Sequence, residues 1–382
     1  MGRIYLDHHA TTPTSKAVQE AMAPYLDNLF GNASSVHSEG REAARGLSNA
    51  REAVAAMLNV RPKDLTFVGS GTEANNLGIL GAALARRRKE SKNHIVVVAT
   101  EHESVLGPVN RLGDTGFEVS IAPVDKQGSW SVDDVIALCR EDTALVCAAP
   151  ANYELGNLGD IFELKKHLAS GGPWLHCDAA VCPGWLPMQP IAEAADLLVL
   201  SAHKFGGPKG VGVLYHAPGV RFDPLLFGGY QERGRRPGAY NVAAVAGMGC
   251  AATIASARTD DERAQVRHLR DRLLRHIQGT GREVEVNGRP DLPGLLNVSF
   301  PGLEGEALLL SLDMAGLSVS SGAACTSGTL EPAGPVVSLG KGAAVELGAV
   351  RMSLGFDTSS AEVEAAGDLI CSVVKRLDSL EY

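Results

Sequence analysis

No two cysteines of this chain are spaced as C-x-x-C, and the seven show no zinc-site spacing. The nearest pair, Cys177 and Cys182, reads as packing residues. No apolar run reaches the length that crosses a bilayer, and no apolar segment of the secretory kind follows Met1. Internal repeats and low-complexity tracts are missing as well. Positive charge is in deficit, with 35 Lys and Arg against 44 Asp and Glu and a formal net charge of −9. That balance argues against a broad nucleic-acid-binding surface, though not against a local basic patch. The one basic run, Arg86-Arg87-Arg88-Lys89, reads as a solvated helix end, where cations suit the helix dipole. The expectation is a reduced, cytoplasmic protein with no resident metal, no membrane contact and no direct nucleic-acid partner. At 382 residues, two domains are expected.

What is present follows a regular order. Spacing predicts helices over Ser15–Asp27 and Glu39–Leu58, a strand over Asp64–Val68, and a turn at Gly69-Ser70-Gly71 opening a helix at Thr72. Strands at His94–Ala99, Phe117–Ile121 and Thr143–Ala149 then alternate with helices after Ser104, over Ser131–Arg140 and over Ile161–Ala169. Such alternation predicts an α/β fold with a largely parallel sheet. From about Val242 the pattern changes to two long helices, Asn241–Ala257 and Asp260–Ile277. Short strands follow near Val284–Val286, Leu295–Phe300 and Val350–Leu354, with helices over Gly305–Ala315 and from Ser360. We expect a large domain over 15–250 and a smaller α+β domain over 251–382.

Lys204 stands at the centre of the chemistry. The apolar run Leu197-Leu198-Val199-Leu200 leads into Ser201-Ala202-His203-Lys204, a Gly/Pro break, and the second run Val211-Gly212-Val213-Leu214-Tyr215. A lysine held between two buried strands has a lowered pKa and forms Schiff bases; a lone lysine snorkelling from a strand end is the plainer alternative. Upstream, Trp174-Leu175-His176-Cys177-Asp178 is a strand ending in a carboxylate. Pyridoxal phosphate needs such a lysine, and an acid to keep its ring nitrogen protonated.

Gly69-Ser70-Gly71-Thr72, between a strand and a helix start, offers backbone N–H groups and a hydroxyl to an anion. Gly69, Gly71 and Ala74 also fit a dinucleotide fingerprint, but the acid that fingerprint needs is represented only by Glu90. Glu101-His102-Glu103-Ser104 follows a strand and reads either as a helix cap or as a functional imidazole titrating near neutrality. Ser320-Ser321-Gly322-Ala323-Ala324-Cys325-Thr326-Ser327-Gly328 surrounds a cysteine with small residues. Glu331-Pro332-Ala333-Gly334-Pro335 follows, a stretch expected to form no packed helix or strand. A mobile loop carrying an exposed thiol is expected there. Arg351 interrupts an apolar strand, and its planar fork suits a carboxylate.

Taken together, from Tyr5-Leu6-Asp7-His8-His9-Ala10-Thr11-Thr12-Pro13 to Gly355, these stretches resemble the class V aminotransferase family, specifically the cysteine desulfurases of the iron–sulfur-cluster type. The resemblance implies a fold-type I pyridoxal 5'-phosphate enzyme with a seven-stranded, mostly parallel sheet. It implies that residues 1–14 pack with the small domain. It implies a homodimer that converts L-cysteine to L-alanine and passes the sulfur to a protein acceptor. Lys204, Cys325 and His102 become the catalytic residues, with His102 stacked on the pyridine ring. Gly71, Thr72, Ser201 and His203 take the cofactor phosphate, Asp178 and Asn152 also hold the cofactor, and Arg351 takes the substrate carboxylate. The loop Gln231 to Ala239 resembles one that reaches the partner subunit's cofactor phosphate. Three positions depart from the family: Tyr153 stands for an asparagine, Val181 for a glutamine and Ala239 for a threonine. Two alternatives stay open, another class V reaction such as a selenocysteine lyase or aminotransferase, and a non-enzymatic sulfur-relay scaffold.

Overall fold

The computed structural model describes residues 2–168, 171–279, 281–321, 325–326, 329–330 and 332–379. Its strands are Ile4–Tyr5 (β1), Leu65–Val68 (β2), His94–Val98 (β3), Glu118–Ala122 (β4), Thr143–Cys147 (β5), Trp174–Asp178 (β6), Leu197–Ser201 (β7) and Gly212–His216 (β8). They continue with Glu285–Val286 (β9), Leu295–Ser299 (β10), Leu317–Ser318 (β11), Cys325–Thr326 (β12), Thr329–Leu330 (β13) and Ala349–Ser353 (β14). The helices are Lys16–Leu26 (α1), Ser38–Leu58 (α2), Gly71–Glu90 (α3), Glu103–Asp114 (α4), Val132–Leu138 (α5), Ile161–His167 (α6) and Met188–Ala194 (α7). Then come Val242–Ser256 (α8), Asp260–Gln278 (α9), Gly305–Met314 (α10), Gly334–Val337 (α11), Ala343–Leu347 (α12) and Ser360–Asp378 (α13).

The main sheet has seven strands in the order β2-β8-β7-β6-β5-β3-β4. The run from β7 to β4 is parallel, and β8 alone is antiparallel to both of its neighbours. Strands β3, β5 and β7 are buried along their whole length, which is why they read as predominantly apolar rather than alternating runs. In such a sheet ligands gather outside the carboxyl ends of the strands. Those ends carry Asp178 on β6 and Ser201 on β7, with Lys204 one short turn beyond.

Strands β14, β10 and β9 form a second, antiparallel sheet, against which α9 and α10 pack, with α13 covering those two helices. Residues of the N-terminal segment join this part: β1 pairs in parallel with β11, and Asp7 bridges Ser353. The expected division at 250 falls inside α8, which packs along α2 and α1. One apolar cluster runs on from Val146 and Leu198 of the large sheet to Leu295, Met352 and Ile370.

Two local expectations change. Arg86 is not part of a solvated helix end: it is buried, donates to the carbonyls of Ala144 and Gly172 at 2.8 Å each, pairs with Glu90 and lies over the Trp174 ring. Its long stem crosses from α3 to the sheet, so the charge serves backbone acceptors rather than water. Of the stretch after Cys325, Gly334 and Pro335 do open a helix, α11, with Pro335 in its first turn, where a missing N–H costs nothing, and Val336 buried beneath. The backbones of Cys325 and Leu330 face each other in a short hairpin of β12 and β13. The side chains of 322–331 lie outside the described residues.

Replacing Arg86 by Ala strips both carbonyls of their donor and is expected to cost about 2–4 kcal/mol. Arg86→Lys, without the fork, should fall between. Urea unfolding midpoints measure both, and an unshifted Arg86→Ala midpoint contradicts this role.

Candidate active site

One cavity of about 270 Å³ at the carboxyl edge of the sheet brings together most of the residues singled out in the sequence. Gly71, Thr72, Ser201 and His203 line one part of it; His102, Asn152, Asp178 and Lys204 line the rest. Tyr153 and Val181 are also in its wall. Arg351 and Cys325 are not among the described lining residues, and Ala239 is exposed on the surface.

The Gly71–Thr72 end is the start of α3. Ser70 caps the helix by accepting from the Glu73 N–H at 3.0 Å, and Ala74 N–H reaches Ser70 O. The N–H groups of Gly71 and Thr72 keep no protein acceptor among the described residues, as the first N–H groups of a helix do. A side chain at 71 would put its Cβ 2.9 Å from Ser201 Cβ, so glycine lets β7 approach the helix end. Glu73 holds Gly69 N–H at 2.7 Å and Arg236 at 2.8 Å, tying this turn to the loop Gln231–Ala239.

Lys204 donates from Nζ to the carbonyl of His9 on the N-terminal segment. Burial is the largest influence on it and Arg351 adds to it; with Asp178, Asp7 and Glu154 pulling the other way, the amine settles at about 8. Asp178 accepts from Asn75 Nδ2 at 2.7 Å and from Ala180 N–H at 3.0 Å, which fixes both oxygens. His203 is held by burial, and then by Lys204, at about 4, and its backbone oxygen accepts from Thr12 twice. His102 meets the Tyr153 ring edge-on, centroids 4.7 Å apart, and burial lowers its pKa.

Asn152 is largely spent on its own loop. Its oxygen accepts from the N–H groups of Glu154 and Leu155, and its nitrogen donates to Thr100 O at 2.8 Å. One N–H is left for a ligand. Arg351 is buried and paired with Glu154 at 2.7 Å and Asp7 at 3.2 Å, while its Nε has no partner among the described residues. Burial is also the first influence on Glu101, whose carboxyl, with Asp178 nearby, is pushed up to about 8.

Sequence reading missed Asn75, Glu154 and Asp7. Asn75 carried a signal: it is a polar residue between Ala74 and Leu77 on a buried helix face, four residues after Gly71. Glu154 and Asp7 carried none, because their partner lies about 200 or more positions away in the chain.

Residues 4–366 match the family described as aminotransferase class-V. The chain belongs to that family. It is 38% identical over 379 residues to "Cysteine desulfurase IscS" of Dictyoglomus turgidum, covering 99% of this chain and 96% of the relative. It is also 38% identical over 380 residues to "Putative cysteine desulfurase IscS 1" of Bacillus subtilis, covering 99% and 100%. A solved structure titled "NIFS-LIKE PROTEIN" superposes with a TM-score of 0.91 at 30% identity, over 98% of this chain and all of that one. The family is generally dependent on pyridoxal phosphate.

With its amine at about 8, Lys204 is expected to react with aldehydes ahead of the other lysines. Reductive methylation of the cofactor-free protein, read by peptide mass spectrometry, should reach half its rate at Lys204 near that pH, against about 10.4 for ordinary lysines. A Lys204 profile that coincides with surface lysines contradicts the burial effect.

Proposed function

We propose that this chain is a cysteine desulfurase that takes sulfur from L-cysteine, releases L-alanine and carries the sulfur as a persulfide on Cys325 for a protein acceptor. The observation that carries this reading is the meeting of an anion-binding helix end, the Lys204 amine and the Asp178 carboxylate in one cavity. That set matches pyridoxal phosphate group by group: Gly71, Thr72, Ser201 and His203 for the phosphate, Lys204 for the aldehyde carbon, and Asp178 for the ring nitrogen. When bound, the cofactor supplies an electron sink for bond breaking at the amino acid's α- and β-carbons. Asp178, with both oxygens fixed, holds a proton on the ring nitrogen. Lys204, with its amine lowered to about 8 so that a usable fraction is neutral near pH 7, takes the α-proton at Nζ and returns it. Arg351 offers its Nε N–H, which has no partner among the described residues, to the substrate carboxylate. The thiolate of Cys325 attacks the substrate sulfur: an S–S bond forms, the C–S bond breaks, and its electron pair leaves with the carbon.

We further propose a homodimer, in which the exposed loop ending at Gly238 and Ala239 meets the partner, and a cytoplasmic location. Among the described residues the cysteine side chains are all free, in keeping with a reducing compartment.

Lys204→Ala should leave no borohydride-fixable cofactor at that position. Cys325→Ser should still take up cofactor and L-cysteine but yield no persulfide and little alanine; full alanine output from it would send the chemistry to another thiol. At the proposed dimer contact, Ala239→Thr restores a hydroxyl and should tighten cofactor binding about tenfold, the factor that ~1.4 kcal/mol represents. Equilibrium dialysis reads this, and unchanged affinity would mean that the phosphate is already satisfied.

A further inference from the structure

Asn75 is wholly buried on α3, one turn past Gly71. Its amide nitrogen is 2.7 Å from Asp178 Oδ2 and 2.8 Å from Ser104 Oγ, and its oxygen is 2.9 Å from His176 Nε2. A carboxylate only accepts, so the atom facing Asp178 is the nitrogen and the one facing His176 is the oxygen. That oxygen needs a donor, which places the His176 proton on Nε2. The buried, partnerless His176 Nδ1 is then a bare lone pair rather than a stranded N–H. Ser104 Oγ accepts from Asn75 and lies 2.7 Å from His102 Nδ1, to which it gives its single proton because the Ser104 backbone N–H already makes that nitrogen an acceptor. The backbone N–H of Ser104, which can only donate, meets the same Nδ1 at 3.0 Å. With two donors on Nδ1, the proton of the neutral ring sits on Nε2.

We propose that Asn75 is a positioning residue that, through Ser104, locks His102 as a neutral ring donating from Nε2, so that His102 hydrogen-bonds into the cavity while the Lys204 amine moves the protons. This rests on the desulfurase reading of the site. A proton on Nδ1 would set an N–H against two other donors, so the ring resists becoming imidazolium. The surrounding charges are divided: Asp178 and Glu103 favour the cation, whereas Lys204 and Arg351 oppose it. Burial, the largest influence, sides against the cation. Asn75 thereby serves two groups at once, since the same amide also fixes the Asp178 carboxylate.

Nitrogen-15 labelling of histidine in the holoenzyme reads the tautomer by NMR, with His102→Gln identifying the resonance. The expected spectrum has one protonated ring nitrogen, Nε2, unchanged as pH falls through about 6.5, where an ordinary histidine is half-charged. A proton on Nδ1, or a doubly protonated ring at neutral pH, overturns the proposal. Asn75→Ala should free the Ser104 hydroxyl, give a mixture of tautomers, and lower kcat about tenfold with KM within about twofold. A pure Nε2–H ring in that variant overturns the role of Asn75. Ser104→Ala removes the hydroxyl through which Asn75 acts; the backbone donor still favours the Nε2–H tautomer, but the midpoint of the His102 titration should rise, and an unshifted midpoint overturns the Asn75–Ser104 link even if Asn75→Ala does not fold. The tautomer is read without turnover, so failure of the desulfurase reading, seen as no alanine from cysteine, is a separate outcome.

Discussion

A primary amine kept out of water is the constraint on which this site depends. Lys204 follows directly on β7, and its Nζ is tethered to the His9 carbonyl on the N-terminal segment. Charged, it would pay heavily for leaving solvent; neutral, it is a nucleophile and a base. Burial and Arg351 push it towards neutrality, and Asp178, Asp7 and Glu154 stop the shift at about 8. The amine is therefore close enough to neutrality to work in both states, a balance that a surface lysine cannot reach.

The same charges knit the two halves of the molecule together. Arg351 comes from the small antiparallel sheet, Glu154 from the loop after β5, and Asp7 from the segment that pairs with β11 and β14. Asn297 on β10 closes the set by donating to Glu154 at 2.7 Å. A buried guanidinium between two carboxylates is a poor source of net stability, because desolvation offsets the attraction, but it is strict about geometry. Its cost makes sense as orientation: it holds the unspent Nε N–H in a fixed direction.

Much of this was legible in the sequence because it is local. Strand ends marked by Asp178 and Lys204 and the glycine turn before α3 announce themselves within a few residues. The parallel sheet followed from the alternation of strands and helices, and the family from the order of the motifs. Long-range partners were silent. Nothing near Arg86 says that it will feed carbonyls of Ala144 and Gly172, and nothing near Arg351 names Asp7 or Glu154. Helix α11 was missed because Pro and Gly were read as breakers when they occupy a first turn that tolerates them. His102 was read by its free pKa, whereas the chain through Ser104 and Asn75 sets its state.

The central claim is that Lys204 and Asp178 activate L-cysteine so that its sulfur, and nothing else, moves to Cys325. A single-turnover reaction with sulfur-labelled L-cysteine, followed by non-reducing peptide mass spectrometry and alanine analysis, tests it directly. One labelled sulfur atom on the Cys325 peptide for each alanine released is the predicted result. Alanine without label at Cys325, or label distributed over the other cysteines, would contradict it.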